Sequence, residues 1–304
     1  MKQVLAIVGP TAIGKTALSI ELARIFDGEI ISGDSVQIYQ ALNIGSAKIT
    51  KEEMQGIPHY LMNDFTLEKE YSVYQFQQYA REKIEEIHQK GKLPIIVGGT
   101  GLYIKACLYD YEFAEEGNLD ESVKEYENYS NEELVEELKE VDPKALETIH
   151  SNNRKRLIRA LVIAKLGKMT KTAMIEKQEH KLLYDAFIVG MTMDREQLYE
   201  RINQRVEHMI KEGLEEEVRS LLEQYPNLFE LRSMHGIGYK EWAEYFLGNQ
   251  GKERTISLIQ QHSRNFAKRQ YTWFHNQMKV QWVNIGDEYK DSLIEKIMEW
   301  YHES

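Results

Sequence analysis

Cysteine is nearly absent from this chain of 304 residues: Cys107 stands alone. An internal disulfide is therefore excluded, and with no second thiol or histidine cluster near it a thiolate metal site is not expected; Cys107 reads as a small buried side chain. Long apolar runs are also missing. No stretch approaches the roughly 18 residues that would span a bilayer, and a strand is expected from residue 4, so neither a membrane anchor nor a cleavable leader is expected and a cytoplasmic location is. Internal repeats and low-complexity tracts are absent too. Finally, positive charge is scarce overall, 38 Lys and Arg against 49 Asp and Glu for a net −11, which on its face argues against a nucleic-acid partner.

The charge is very uneven, however. Residues 115–142 hold twelve acidic and two basic side chains, nearly the whole imbalance, and no function follows from that run. From Arg154 to Lys171 there are seven basic residues and no acid, and Arg264, Lys268, Arg269 and Lys279 form a second acid-free stretch. Local stripes of this kind are what a phosphate backbone meets, because counterion release depends on the contact face. A solvated helix face is the plainer reading of either stripe alone.

What the chain does have is a strand, Val4 to Val8, running straight into Gly9-Pro10-Thr11-Ala12-Ile13-Gly14-Lys15-Thr16 and then a helical pattern. This is a phosphate loop in the context it requires. Backbone N–H groups at a helix N-terminus face an anion and Lys15 adds a point charge. The default reading is an ATP or GTP enzyme.

Further strands are expected at Glu29 to Ser32, His59 to Phe65, Leu93 to Val97, Tyr184 to Met191 and Val280 to Ile285, alternating early in the chain with helices such as Tyr74 to His88. The alternation implies an α/β fold with a parallel, helix-covered sheet of the P-loop NTPase-like kind, with helices on both faces. Between Glu115 and Leu183 the strand pattern gives way to polar helical sequence, with helix starts at Asn131 and at Asp142-Pro143. The expected organisation is a catalytic core of residues 1–114 and 184–304 with a helical insertion of 115–183. Later helices are expected at Glu196 to Lys211, Leu214 to Gln224, Thr255 to Asn276 and Tyr289 to Trp300, with a turn at Met234 to Tyr239. No exposed apolar stripe demands a partner, so a monomer is expected.

Ligands of parallel sheets sit beyond the C-terminal strand ends. The second strand delivers Asp34 and Gln37 there; Asp34 reads as a helix N-cap, as a carboxylate holding magnesium through the ion's bound water, or as a general base, and by spacing alone the N-cap is commonest. The fourth strand ends in Gly98-Gly99-Thr100-Gly101, without the aspartate that a nucleotide hydrolase places there for magnesium. Two glycines allow close backbone approach and Thr100 offers a hydroxyl, or serves as an N-cap. Arg201 and Arg205, four apart, share a helix face that could close on an anion. Ile259, Phe266 and Trp273 read as core.

The ordered series GPTAIGKT (Gly9 to Thr16), GDSVQIYQALNIGSAK (Gly33 to Lys48), PHYL (Pro58 to Leu61), VGGTGLYIKA (Val97 to Ala106), RLIRAL (Arg156 to Leu161), LYERINQRV (Leu198 to Val206), GIGYKE (Gly236 to Glu241) and AKRQYTWF (Ala267 to Phe274) resembles the bacterial tRNA dimethylallyltransferases. These are also called tRNA isopentenyltransferases. The resemblance implies transfer of a dimethylallyl group from dimethylallyl diphosphate to the exocyclic N6 amine of the adenosine 3′ of the tRNA anticodon. It implies that residues 9 to 16 and Arg205 hold the diphosphate, that Thr16 ligates Mg2+, and that Arg201 is a lesser diphosphate contact. By the same match Asp34 is the general base, Thr100 sits where diphosphate and amine meet, and Lys15 and Arg205 act on the leaving group. The tRNA anticodon stem-loop would meet Asp34, Ser35, Val36, Gln37, Thr100, Lys155, Arg156, Arg159, Arg264, Lys268 and Arg269.

Three departures stand out. Ile49 replaces the usual Pro, Tyr60 a second His, and Lys155 a common Gln, which makes Lys155 a phosphate contact more than a base reader. Rival readings are a small-molecule kinase using ATP, prenylation of free AMP or ADP, and a non-enzymatic RNA-binding module. The missing acid after the fourth strand counts against the first, the basic insertion against the second, and the phosphate loop against the third.

Overall fold

The protein is described by a computed structural model covering residues 1–113, 123–166, 170, 172–173, 178–286 and 288–302. Parts of the acidic run and of the first basic stretch, residues 114–122, 167–169 and 171, lie outside these. The chain divides into two compact units, Met1–Leu108 with Leu183–Ser304, and Tyr109–Leu182. The second unit begins six residues before the expected boundary at 115, because Tyr109 already pairs antiparallel with Leu182.

The first unit is built on six parallel strands: β1 (Gln3–Val8), β2 (Gly28–Ser32), β3 (His59–Tyr60), β4 (Leu93–Gly98), β5 (Asp185–Thr192) and β6 (Gln281–Asn284), in the order β3-β2-β4-β1-β5-β6. Parallel pairing needs crossover connections, and helices supply them. In chain order they are α1 (Lys15–Ile25), α2 (Lys51–Met54), α3 (Val73–Gln89) and α4 (Gly101–Leu108). The apolar runs of β1 and β4 occupy the centre, with Leu5 opposite Ile95 and Ile7 opposite Val97. Burial on both sides explains why these strands do not alternate. β3 is shorter than its sequence suggests: Leu61 and Asn63 have positive φ of 59° and 62°, so the chain turns out of the sheet and only Phe65 returns, to bridge Tyr39.

In the second unit α5 (Asn131–Val141) and α6 (Arg154–Leu166) pack around Leu134, Leu138, Leu157 and Leu161. The cap of α5 is Ser130, one residue before the expected Asn131: its hydroxyl accepts the Glu133 N–H, and the Glu133 carboxylate accepts the Ser130 N–H. Asp142-Pro143 starts a short 3-10 turn, Pro143–Glu147, in place of an α-helix. The half-buried Arg154 donates to the carbonyls of Tyr126, Glu127 and Tyr129, tying the start of α6 to the turn before α5.

The first unit then continues with α7 (Arg195–Lys211), α8 (Leu214–Gln224), α9 (Ala243–Phe246), α10 (Lys252–Gln277) and α11 (Tyr289–His302). No helix among the described residues is long and apolar enough to cross a membrane.

Gly98, at the end of β4, lies against the loop that follows β2. A Cβ there would sit 2.5 Å from the Gly33 carbonyl oxygen, with only backbone to give way. Gly98→Ala should therefore destabilise by about 1–3 kcal/mol, the usual cost of overpacking, read as a lower urea midpoint at unchanged slope.

Candidate functional site

The phosphate loop leaves β1 with Gly9 at φ 142°, where a Cβ would lie 3.0 Å from the Met191 carbonyl oxygen of β5. Gly14 caps α1 in the left-handed region at φ 102°. Glycine fits both positions without strain. The Lys15 ammonium folds back onto the loop, donating to the carbonyls of Gly9 at 3.0 Å and Pro10 at 2.7 Å. Arg205 reaches in from α7, and its Nη1 donates to the Thr11 hydroxyl at 3.2 Å.

Two half-buried cations share this loop, and their surroundings oppose their charge. Burial, reinforced by the Arg205 guanidinium and opposed by Asp34, lowers Lys15 to about pKa 7. Burial likewise pulls Arg205 down, again opposed by Asp34. An anion placed between them would relieve both effects. Donors are available for it, since the N–H groups of Ala12, Ile13 and Gly14 have no hydrogen-bond acceptor among the described residues. The front of the loop offers less than its motif suggests. Pro10 has no N–H, and the Thr11 N–H is taken by Gln270 Oε1 at 2.9 Å.

Two cavities meet here. One, of about 340 Å³, is lined by Thr11 to Thr16, Asp34, Gln37, Glu53, Gly98, Gly99, Arg205, Phe266 and Gln270. The other, of about 330 Å³, is lined by Asp34, Ser35, Val36, Thr100, His235 to Gly238, Lys240, Ser263 and Arg269, with Ile202, Val206, Met209 and Ile259 as an apolar wall. Thr11, Ala12, Asp34, Arg205 and Phe266 line both. Helical spacing puts Ile202, Arg205, Val206 and Met209 on one face of α7, so one helix supplies a cation and an apolar wall together.

Asp34 is half-buried at the junction. Its Oδ1 accepts the N–H groups of Val36 at 2.8 Å and Gln37 at 3.3 Å, fixing the turn after β2. The other oxygen, Oδ2, has no hydrogen-bond donor among the described residues. The capping reading and a chemical role thus use different atoms of one carboxylate. Thr100 precedes α4, with its carbonyl accepting the Tyr103 N–H and its hydroxyl without a partner among the described residues.

Of the residues singled out in the sequence, Asp34, Ser35, Val36, Thr100, Arg205 and Arg269 line the second cavity, and residues 11 to 16 line the first. Gln37 lines only the phosphate side, and its carboxamide is engaged within the fold, donating to the Ser46 carbonyl and accepting the Ser32 hydroxyl, both at 3.2 Å. Arg201 is exposed and lines neither cavity. Arg264 is held by Asn203 at 2.5 Å, while Lys268 is exposed beside it on α10. Lys155, Arg156 and Arg159 are exposed on α6 of the second unit.

Ile259 is buried as expected, but Phe266 is half-buried on the shared wall, under the Arg269 guanidinium at 5.7 Å, and Trp273 is half-buried over Gly101. Sequence reasoning missed Gln270 and Glu217. The Glu217 carboxylate accepts the backbone N–H of Ile44 at 2.9 Å and the Tyr239 hydroxyl at 2.8 Å, so it ties α8 to the loop that holds Gln37. Glu217 lies in an acidic helix that reads as solvated, and only the three-dimensional contact distinguishes it.

A parallel sheet carrying a phosphate loop, with a second cavity sharing its wall, defines a phosphate-loop protein of the P-loop NTPase-like class, arranged to bring an anion against another ligand. Within that class, the chain belongs to the IPP transferase family, whose model matches residues 37–277. It is 47% identical to the tRNA dimethylallyltransferase of Anoxybacillus flavithermus, over 97% of this chain and 93% of that protein. The tRNA dimethylallyltransferase of Oceanobacillus iheyensis is equally similar, over 97% and 95%. Among solved structures, the tRNA delta(2)-isopentenylpyrophosphate transferase of Staphylococcus epidermidis is 42% identical with a TM-score of 0.73, covering 98% of this chain and all of that one. A eukaryotic dimethylallyltransferase acting on tRNA has a TM-score of 0.87 at 26% identity, covering 99% of this chain and 79% of that one.

Lys15 would make anion binding at this loop pH-dependent. A diphosphate placed there would favour the ammonium and raise its pKa, so binding would take up a proton once the free protein is above about pH 7. Diphosphate affinity should fall as pH rises through that value, by at most about tenfold per pH unit from this one group. Calorimetry in buffers of different ionisation heat checks the proton uptake, and Lys15→Met should remove its share.

Proposed function

We propose that the chain transfers a dimethylallyl group from dimethylallyl diphosphate to the N6 amine of the adenosine immediately 3′ of a tRNA anticodon, releasing diphosphate. The observation that carries this reading is the position of Asp34 and Arg205 on the wall common to both cavities. A donor anion on the phosphate loop and a base in the second cavity would meet at that wall. The names of the relatives supply the substrate classes.

Adenine's exocyclic amine is a weak nucleophile because its lone pair is delocalised into the ring. As its nitrogen bonds to C1 of the allyl group, the C1–oxygen bond breaks and the electron pair leaves with the diphosphate. Oδ2 of Asp34 takes the amine proton, and its Oδ1 keeps the turn in place. Lys15, Arg205 and the free N–H groups of the loop stabilise the charge that develops on the leaving group. Thr100 lines the second cavity, and in this reading its hydroxyl orients the amine.

A magnesium ion fits the donor set. Among the described residues no group of three or more His, Cys, Asp or Glu converges on one point, while the Thr16 hydroxyl lines the phosphate cavity. Mg2+ characteristically takes one or two protein ligands beside substrate phosphates and water. When bound, it supplies further neutralisation of the diphosphate, with Thr16 as its protein ligand.

A base in an anticodon loop must be extruded to reach such a cavity, at a cost of a few kcal/mol that stacking and hydrogen bonds offset. Lys155, Arg156 and Arg159 on α6, with Arg264, Lys268 and Arg269 on α10, are the RNA contacts in this reading, and the reaction belongs to the cytoplasm, where tRNA is. Purified protein with Mg2+ and labelled dimethylallyl diphosphate should label an unmodified anticodon stem-loop and leave AMP unlabelled. ATP-dependent phosphorylation without allyl transfer would overturn the assignment. Asp34→Asn should lower kcat by about 10²–10⁴-fold, the range for a general base, while RNA affinity in a filter-binding assay stays within threefold.

A further inference from the structure

Gln270 is a polar residue of α10 that points inward. It is 5% exposed, although Lys268 and Arg269 just before it are exposed. Its carboxamide joins two loops that leave adjacent strands. Oε1 accepts the Thr11 N–H at 2.9 Å, beyond β1, and Nε2 donates to the Gly99 carbonyl at 3.0 Å, beyond β4. Only an oxygen can accept from Thr11 and only an amide nitrogen can donate to Gly99, so the partners fix the orientation. A Cβ on Gly99 would lie 2.1 Å from Nε2. That glycine therefore makes room for a side chain of this protein.

We propose that Gln270 is a positioning residue for the transfer, holding the phosphate loop and the Gly99-Thr100 turn at one fixed separation. This rests on the prenyl-transfer reading above. Thr11 is gripped twice, through its N–H by Gln270 and through its hydroxyl by Arg205. Freeing the N–H lets the loop and the guanidinium drift relative to Thr100, and misplacement on the scale of 1 Å costs about a hundredfold in rate. The same helix carries Arg269 on the second cavity. One rigid element thus sets the donor loop and part of the acceptor wall.

Steady-state kinetics with dimethylallyl diphosphate and an anticodon stem-loop test this on Gln270→Leu and Gln270→Glu. The leucine keeps bulk and removes both hydrogen bonds, and should lower kcat by about ten- to a hundredfold while the RNA KM stays within twofold. The glutamate keeps the shape. Protonated, it donates to Gly99 and accepts from Thr11 as the amide does. Ionised, it sets an oxygen against the Gly99 carbonyl and a negative charge into a cavity that also holds Lys15, Arg205, Asp34 and Glu53.

The ratio of Gln270→Glu to wild-type kcat should therefore approach one at low pH and fall by up to about tenfold per pH unit as the carboxyl ionises. Taking the ratio cancels the titrations the two proteins share. Wild-type kcat in the leucine variant, or a glutamate ratio that is flat with pH, would overturn the role. If the leucine variant does not fold, the glutamate ratio decides alone. Absence of allyl transfer by the wild type would instead sink the reading of function, and this role with it.

Discussion

Two half-buried cations on either side of one short loop are the constraint from which the rest of the site follows. Lys15 and Arg205 repel each other, both are disfavoured by burial, and Asp34 offsets only part of that cost. Such an arrangement is tolerable because the loop's own carbonyls and the Thr11 hydroxyl occupy the two side chains. It would become favourable with an anion on the loop. The fold serves this tension: β1 delivers the loop, α7 brings Arg205 back across it, and the turn after β2 sets a single carboxylate where it touches both cavities.

The glycines after β4 belong to the same economy of space. Gly98 abuts the backbone of Gly33, Gly99 the carboxamide of Gln270, and Gly101 the indole of Trp273. In the sequence they suggest room for a ligand. In the structure each makes room for the protein itself, and the openings for ligands come from side chains that stop short of one another around Asp34 and Arg205.

Much of this was legible in the chain. β1 and β4 declare themselves because burial on both faces leaves an uninterrupted apolar run, and the phosphate loop is stated by eight residues in the right context. The sequence suggests a longer β3 because Leu61 and Phe65 are as apolar as strand residues; Asn63 is of a type that accepts left-handed backbone, but nothing announces it at Leu61. Arg201 and Arg205 look equivalent at a spacing of four; only the rotation of α7 on the sheet decides that Arg205 faces in. Phe266 was placed in the core because a cavity wall and a core both call for an aromatic ring. Gln270 is not legible because a glutamine beside Lys268 and Arg269 reads as solvated surface, and its burial is set by partners about 260 and 170 residues earlier in the chain.

The chain leaves the first unit at Leu108 and re-enters it at Leu183, and these two residues are joined by one backbone hydrogen bond of 2.9 Å. Tyr109 and Leu182, the next residues outward, form a single antiparallel bridge. The described residues of the segment between them add no strand to the six-stranded sheet, so it is free to lengthen, shorten or change its surface charge while the register of the six strands stays as it is. The surface of the second unit and the chemistry at the strand ends are thus separately mutable parts of one polypeptide.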